Sequence, residues 1–223
     1  MPKVVIFDVD GTLLDTEQIY MRAWQEAAAG FGYTLPMEAL LQTRAISSAQ
    51  AEKIYRKYCG EQFRLEDIYP ERVRIAEEII ENAAAETLLM PHVRQGMKWL
   101  KERGYTIAVA SSTNEAKTRS HLAHAGLLDE IDVVVGGDMV EHGKPDPDIF
   151  LLAARLSGVQ PEDCLVVGDS PADVGSAKAA GIPIVLIPDQ VPLNDYTKEN
   201  SRWVLDSLAQ LPRAVEEWEA KYQ

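Results

Sequence analysis

Five short apolar runs rich in β-branched residues, at 4–7, 106–110, 131–135, 165–167 and 184–187, constrain this chain more than any other feature. Helix-length stretches lie between the later ones, at 93–102, 114–125, 147–156 and 171–180. Pro147 and Pro171 suit a helix's first turn, and Gly104, Gly126, Gly158 and Gly181 fall where helix C-caps are expected. Strand and helix alternating at this length predict a parallel sheet covered by helices on both faces.

Residues 17–85 break that rhythm. The stretches 17–29, 37–41, 49–58 and 68–84 read as helices, and no convincing strand run separates them. Val73, Ala76, Ile79, Ile80 and Ala83 recur at three- and four-residue spacing, which marks one apolar helix face. A helical block set after the first strand of an α/β domain predicts a second, smaller domain. The expected division is 1–16 with 86–223 as the α/β core, and 17–85 as the inserted helical domain. The segment 188–200, with two prolines and several polar residues, is expected as a surface loop before a C-terminal helix over 208–222.

At 223 residues the chain can bury a substantial core, and its net charge of −13 argues against nucleic acid or an anionic membrane surface as a partner. A small phosphorylated molecule remains compatible, because a metal or a few local cations can hold one anion. The two cysteines, Cys59 and Cys164, are far apart and are expected as reduced structural thiols. No apolar stretch approaches the roughly 20 residues of a membrane span, and no signal-peptide pattern opens the chain. The expectation is a cytoplasmic monomer.

The polar residues that end the apolar runs carry the chemistry. Asp8 and Asp10 follow the first run, Ser111 and Ser112 the second, and Asp169 the fourth. In open parallel sheets ligands collect beyond the carboxyl ends of the strands, so these positions are predicted to converge. Taken singly each has an ordinary reading as a turn residue or helix cap; the set does not. Asp8 and Asp169, with a backbone carbonyl nearby, offer oxygen ligands to Mg²⁺, which keeps several waters and adds a phosphate oxygen. Asp173 either supports that site from the first turn of a helix or favours the helix N-terminus through the dipole. A carboxylate such as Asp8 can attack phosphorus. Asp10, with no nucleophilic task left, is free to act as general acid and then base. Ser111 and Ser112 can donate to an anion at a helix N-terminus, and Lys144 in Gly143-Lys144-Pro145-Asp146-Pro147 adds a positive charge.

The run Asp8-Val9-Asp10-Gly11-Thr12-Leu13-Leu14-Asp15-Thr16-Glu17 resembles the first motif of the haloacid dehalogenase-like hydrolase superfamily. Ser111, Lys144 and Gly168-Asp169-Ser170-Pro171-Ala172-Asp173 resemble its second, third and fourth motifs, in order. The resemblance covers residues 1–16 and roughly 86–223, and the inserted helices are similar to a type-1 cap. It implies a Rossmann-like α/β core with a helical cap. By the same resemblance Asp8 is nucleophile and metal ligand, and Asp10 is acid/base and a metal ligand through its carbonyl. Asp169 is then the acidic metal ligand, Ser111 and Lys144 hold the phosphoryl group, and Asp173 supports the metal. Dehalogenase members typically lack the second aspartate of the first motif, present here as Asp10, so a Mg²⁺-dependent phosphatase is implied.

The helical insert is similar to those of β-phosphoglucomutase-like and phosphoglycolate phosphatase-like members. Where the mutases carry a His this chain has Tyr20, and where they carry Gly-x-Ser-Arg it has the stretch 43–48, with Arg44. They also tend to have Glu at the position of Gly168. These departures favour a phosphatase acting on a small phosphorylated metabolite, of which a sugar phosphate is one candidate, over a phosphosugar mutase or a catalytically silent binding protein. Tyr20 and Arg44 are the candidate substrate contacts, Trp24 is expected in the core, and His121 and His124 are expected at the surface.

Overall fold

The computed structural model describes residues 4–43 and 48–220. The chain divides into two compact units, Met1–Leu14 with Ala85–Gln223, and Asp15–Ala84.

The first unit is built on a six-stranded sheet: β1 Val4–Phe7, β2 Thr106–Ala110, β3 Val133–Val135, β4 Cys164–Gly168, β5 Ile184–Leu186 and β6 Trp203–Val204. Its order is β3-β2-β1-β4-β5-β6, with every pairing parallel. The predicted α/β architecture is therefore present. Winding runs outward in both directions from β1, so the switch point lies between β1 and β4, where the carboxyl ends of an open sheet leave a crevice. Phe7 is in register with Val109 on one side and Val167 on the other, which brings the residues after all three strands to the same edge.

Side chains alternate across the sheet and both faces are dry. Val5, Phe7, Ile107, Val109, Leu165 and Val167 meet α5 (Val93–Glu102) and α10 (Leu211–Glu219) through Met97, Leu100, Leu211 and Trp218. Val4, Ile6, Ala108, Ala110 and Val166 meet α7 (Asp148–Leu156) and α8 (Pro171–Ala180) through Phe150, Ala153, Val174 and Ala177. Burying each large apolar side chain stabilises by about 1.5–3 kcal/mol, which explains why unbroken Val/Ile runs specify these strands. Gly104, Gly126, Gly158 and Gly181 all take positive φ, as expected of residues that end helices.

Four expectations need correction. The segment 188–200 is not wholly loop: α9 spans Asp195–Asn200, started by Asn194, which accepts from Thr197 N at 2.9 Å while Thr197 Oγ1 accepts from Asn194 N at 3.1 Å. The C-terminal helix is interrupted: a 3₁₀ turn at Leu208–Gln210 precedes α10. Pro147 is the residue before α7 rather than its first-turn residue. His121, on α6 (Glu115–His124), is buried, while His124 is exposed as expected.

The second unit is helical throughout its described residues: α1 Glu17–Gly30, α2 Met37–Gln42, α3 Ser48–Cys59 and α4 Leu65–Asn82. Its core gathers Met21, Ala27, Leu35, Leu40, Tyr55, Phe63 and Ile68. Trp24 is half-buried against this core, its ring 5.5 Å from that of Tyr55, in keeping with a packing role. Both cysteines are free thiols.

Candidate functional site

β1 ends in a tight loop in which Gly11 N donates to Leu14 O at 2.7 Å. Gly11 has φ +87°, and a Cβ there would stand 2.7 Å from Asp169 Oδ2. Only glycine combines that backbone with so close an approach by a carboxylate. The loop therefore brings Asp8 and Asp10 beside the end of β4, as the strand-end argument anticipates.

Three buried carboxylates, from Asp8, Asp169 and Asp173, have oxygen atoms within 4.8 Å of one another. Asp173 is held by a reciprocal cap on α8. Its Oδ2 accepts from Ser170 N at 3.1 Å and Ser170 Oγ at 2.6 Å, while Asp173 N donates to Ser170 Oγ at 3.2 Å. Its Oδ1 is free of that cap and faces Lys144 Nζ at 2.7 Å. The helix-start reading of Asp173 thus describes Oδ2, while Oδ1 pairs with Lys144.

Lys144 is the hub. Its side chain is 4% exposed, and Nζ lies 2.5 Å from Asp8 Oδ1, 2.8 Å from Ala110 O and 2.7 Å from Asp173 Oδ1. The contacts to Asp8 Oδ1 and Ala110 O are hydrogen bonds, and that to Asp173 Oδ1 is an ion pair. The Phe150 ring lies 4.9 Å below Nζ, adding a cation–π contact.

The Asp8 carboxyl is pushed up to about 8: burial raises it most, Lys144 pulls it down, and Asp173 and Asp10 push it up again. For Lys144, burial opposes the charge, but Asp173 and Asp8 outweigh it and hold the ammonium above its usual range. Lys144 is therefore the cation of the cluster. Asp8, Asp169 and Asp173 together form an all-oxygen donor set of the kind that fits a hard divalent cation.

Asp10 is half-buried and receives two hydroxyls on Oδ2, from Ser111 Oγ at 3.2 Å and Thr113 Oγ1 at 3.4 Å. Ser111 Oγ also accepts from Thr113 N at 3.0 Å. Ser111 is fully buried and Ser112 exposed, so the two serines do not act as a matched pair. Asn114, not either serine, caps α6, accepting from Lys117 N at 2.9 Å.

Tyr20 belongs to the helical unit, where its ring carries the Arg72 guanidinium at 4.2 Å; Arg72 is also 5.8 Å from the Trp24 ring. Arg44 lies outside the described residues. Sequence reasoning missed Thr113, Arg72 and Ser176. Thr113, two residues past Ser111, was within reach of the strand-end argument, whereas nothing local marks Arg72 or Ser176.

A haloacid dehalogenase-like hydrolase model matches residues 2–181. The chain belongs to that family. It is 30% identical over 184 residues to a phosphorylated carbohydrates phosphatase of Thermotoga maritima, covering 81% of this chain and 82% of that one. It is 32% identical over 183 residues to the fructose-1-phosphate phosphatase of Escherichia coli, covering 81% and 94%. Among solved structures it resembles a putative β-phosphoglucomutase from Thermotoga maritima, with TM-score 0.77, 27% identity and coverage of 96% and 99%. As a family member with relatives of these names, the protein is a hydrolase of the phosphatase type. No helix among the described residues is long and apolar enough to cross a membrane.

Proposed function

We propose that the protein is a Mg²⁺-dependent phosphatase that hydrolyses a small phosphorylated metabolite, of the sugar phosphate class, through an aspartyl-phosphate on Asp8. The observation that carries this reading is the set of three buried carboxylates at the switch point, two of them paired with a buried lysine. Asp8, Asp169 and Asp173, with the Asp10 carbonyl, are the groups to hold Mg²⁺. When bound, the cation supplies neutralisation of phosphoryl oxygen charge.

The chain's own residues account for the rest. Asp8 is the nucleophile: one Oδ forms a bond to phosphorus as the ester P–O bond breaks. Lys144 fixes the carboxylate's orientation, and a phosphoryl contact would replace one of its three present oxygens. Asp10, steadied by Ser111 and Thr113, gives a proton to the leaving oxygen. It then takes one from the water that breaks the Asp8–phosphorus bond. Ser111 and Ser112 supply donors to the phosphoryl group, and the helical unit, with Tyr20 and Arg44, selects the substrate. The names of the Thermotoga maritima and Escherichia coli relatives support a phosphorylated carbohydrate. The protein is read as a cytoplasmic monomer.

The decisive experiment is a Mg²⁺-dependent phosphate-release screen over sugar phosphates, with Asp8→Asn as the blank. Free phosphate is expected. Isomerised sugar phosphate in its place would make the protein a mutase, and full turnover by Asp8→Asn would remove Asp8 as nucleophile.

A further inference from the structure

Lys144 stands on a loop that is otherwise open to solvent. Glu141, His142, Gly143, Pro145 and Asp146 are all exposed, while the lysine side chain is buried. A flexible four-carbon stem keeps its ammonium on Asp8 only if the backbone beneath it is fixed. Helix α8 fixes it. Ser176, fully buried, donates from Oγ to Asp146 O at 2.6 Å. Asp146 N in turn donates to Gly143 O at 3.0 Å, closing the turn that contains Lys144.

Two neighbours of Ser176 on the same helix reinforce the grip. A Cβ on Gly175 would stand 2.8 Å from Pro145 Cβ, so helix and loop are in close contact there. Three residues before Ser176, Asp173 takes the lysine ammonium itself, and residues three apart share a helix face. Serines within helices commonly turn the hydroxyl to the carbonyl four residues back. Ser176 spends its one hydrogen on a loop 30 positions away in sequence instead.

We propose that Ser176 is a positioning residue that fixes the Lys144 ammonium on Asp8 by clamping the Asp146 carbonyl. The inference rests on the reading of Lys144 as part of the catalytic site, and its test does not depend on turnover. Full-length protein labelled with ¹⁵N-lysine gives the Lys144 ammonium signal, identified by its loss in Lys144→Met. In the unsubstituted protein that signal is expected to exchange slowly with water, because the ammonium is buried, hydrogen-bonded to Asp8 Oδ1 and Ala110 O and paired with Asp173 Oδ1. In Ser176→Ala and Ser176→Cys the exchange is expected to rise about tenfold or more with the backbone spectrum otherwise preserved. The cysteine variant keeps the side-chain volume with only a weak donor and carries the comparison if the alanine variant does not fold.

On an aryl phosphate, kcat in both variants is expected to fall about ten- to a hundredfold, the scale of a small misplacement at a reacting centre. A Lys144 signal that exchanges in both variants as it does in the unsubstituted protein overturns the assignment, as does the absence of a protected signal in the latter. Failure of the phosphatase reading looks different: no turnover by the unsubstituted protein, with the Lys144 signal still dependent on Ser176.

Discussion

Gly168→Ala is a single added methyl at the end of β4, and its cost follows from the contacts it would make. The new Cβ would stand 2.7 Å from Asp173 Cβ, 2.8 Å from its Cγ and 2.9 Å from its Oδ2. Asp173 has no free direction in which to retreat. Turning it away breaks the Oδ2 bonds to Ser170 and removes Oδ1 from Lys144. Losing the cap costs about 1 kcal/mol, and forcing a methyl into a filled site costs about 1–3 kcal/mol. A total of about 3 kcal/mol lowers the melting temperature by roughly 6–12 °C for a protein of this size. Calorimetry in chelator, on Gly168→Ala alone and in an Asp173→Gly background, isolates the collision. The second background removes the whole side chain that the methyl meets, Cβ included, so the cost there is expected to drop to below about 1 kcal/mol, a coupling of the size that contacting residues show. An equal cost in both backgrounds would refute the reasoning, because the strain would then lie in the strand and not against Asp173.

Asp8→Asn is expected to abolish turnover of an aryl phosphate while retaining the wild-type far-ultraviolet circular dichroism spectrum; retained Mg²⁺-dependent activity contradicts it. Without metal, the Asp8 carboxyl titrates near 8 when folded and near its ordinary 3.8 when unfolded, so the folded state binds the extra proton between those values. Stability contributed by this group must then fall as pH rises from about 4 to 8. Urea unfolding in chelator at pH 5 and pH 8 should show the native protein losing more stability than Asp8→Asn, and equal losses argue against it. Mg²⁺ is expected to raise the melting temperature, in line with about 2.7 kcal/mol at a hundredfold excess over its dissociation constant. Asp169→Asn should abolish that rise in a thermal-shift titration, and an unchanged rise would remove Asp169 from the metal site.

The strands were legible because burial on both faces demands continuous apolar runs, and Val4–Phe7 or Thr106–Ala110 can be little else. β6 was not, since Trp203 and Val204 are too short a run to announce a strand; the sheet supplies the template through β5. The cap at Asn194 was hidden in a polar stretch where side chains signal a loop equally well. His121 was misread because its neighbours on α6 give no apolar stripe, so burial there is set by what the helix packs against. At the site, Asp8, Asp10 and Asp169 were readable from their place after strands. That Lys144 binds Asp173 and Ala110 O was not, because those partners meet only through the loop's path in space.

The central place of β1 has a consequence for how this protein comes into being. β1 leaves the ribosome well before its partners, β2 and β4, which end at Ala110 and Gly168. At roughly 5–20 residues per second, the strand waits for on the order of ten seconds or more before its second edge can be covered. During that interval Val4–Phe7 is an apolar segment with an unpaired side, the kind of species that aggregates or recruits a chaperone. The carboxylate of Asp8 is thus in place along the chain long before the strands that flank it.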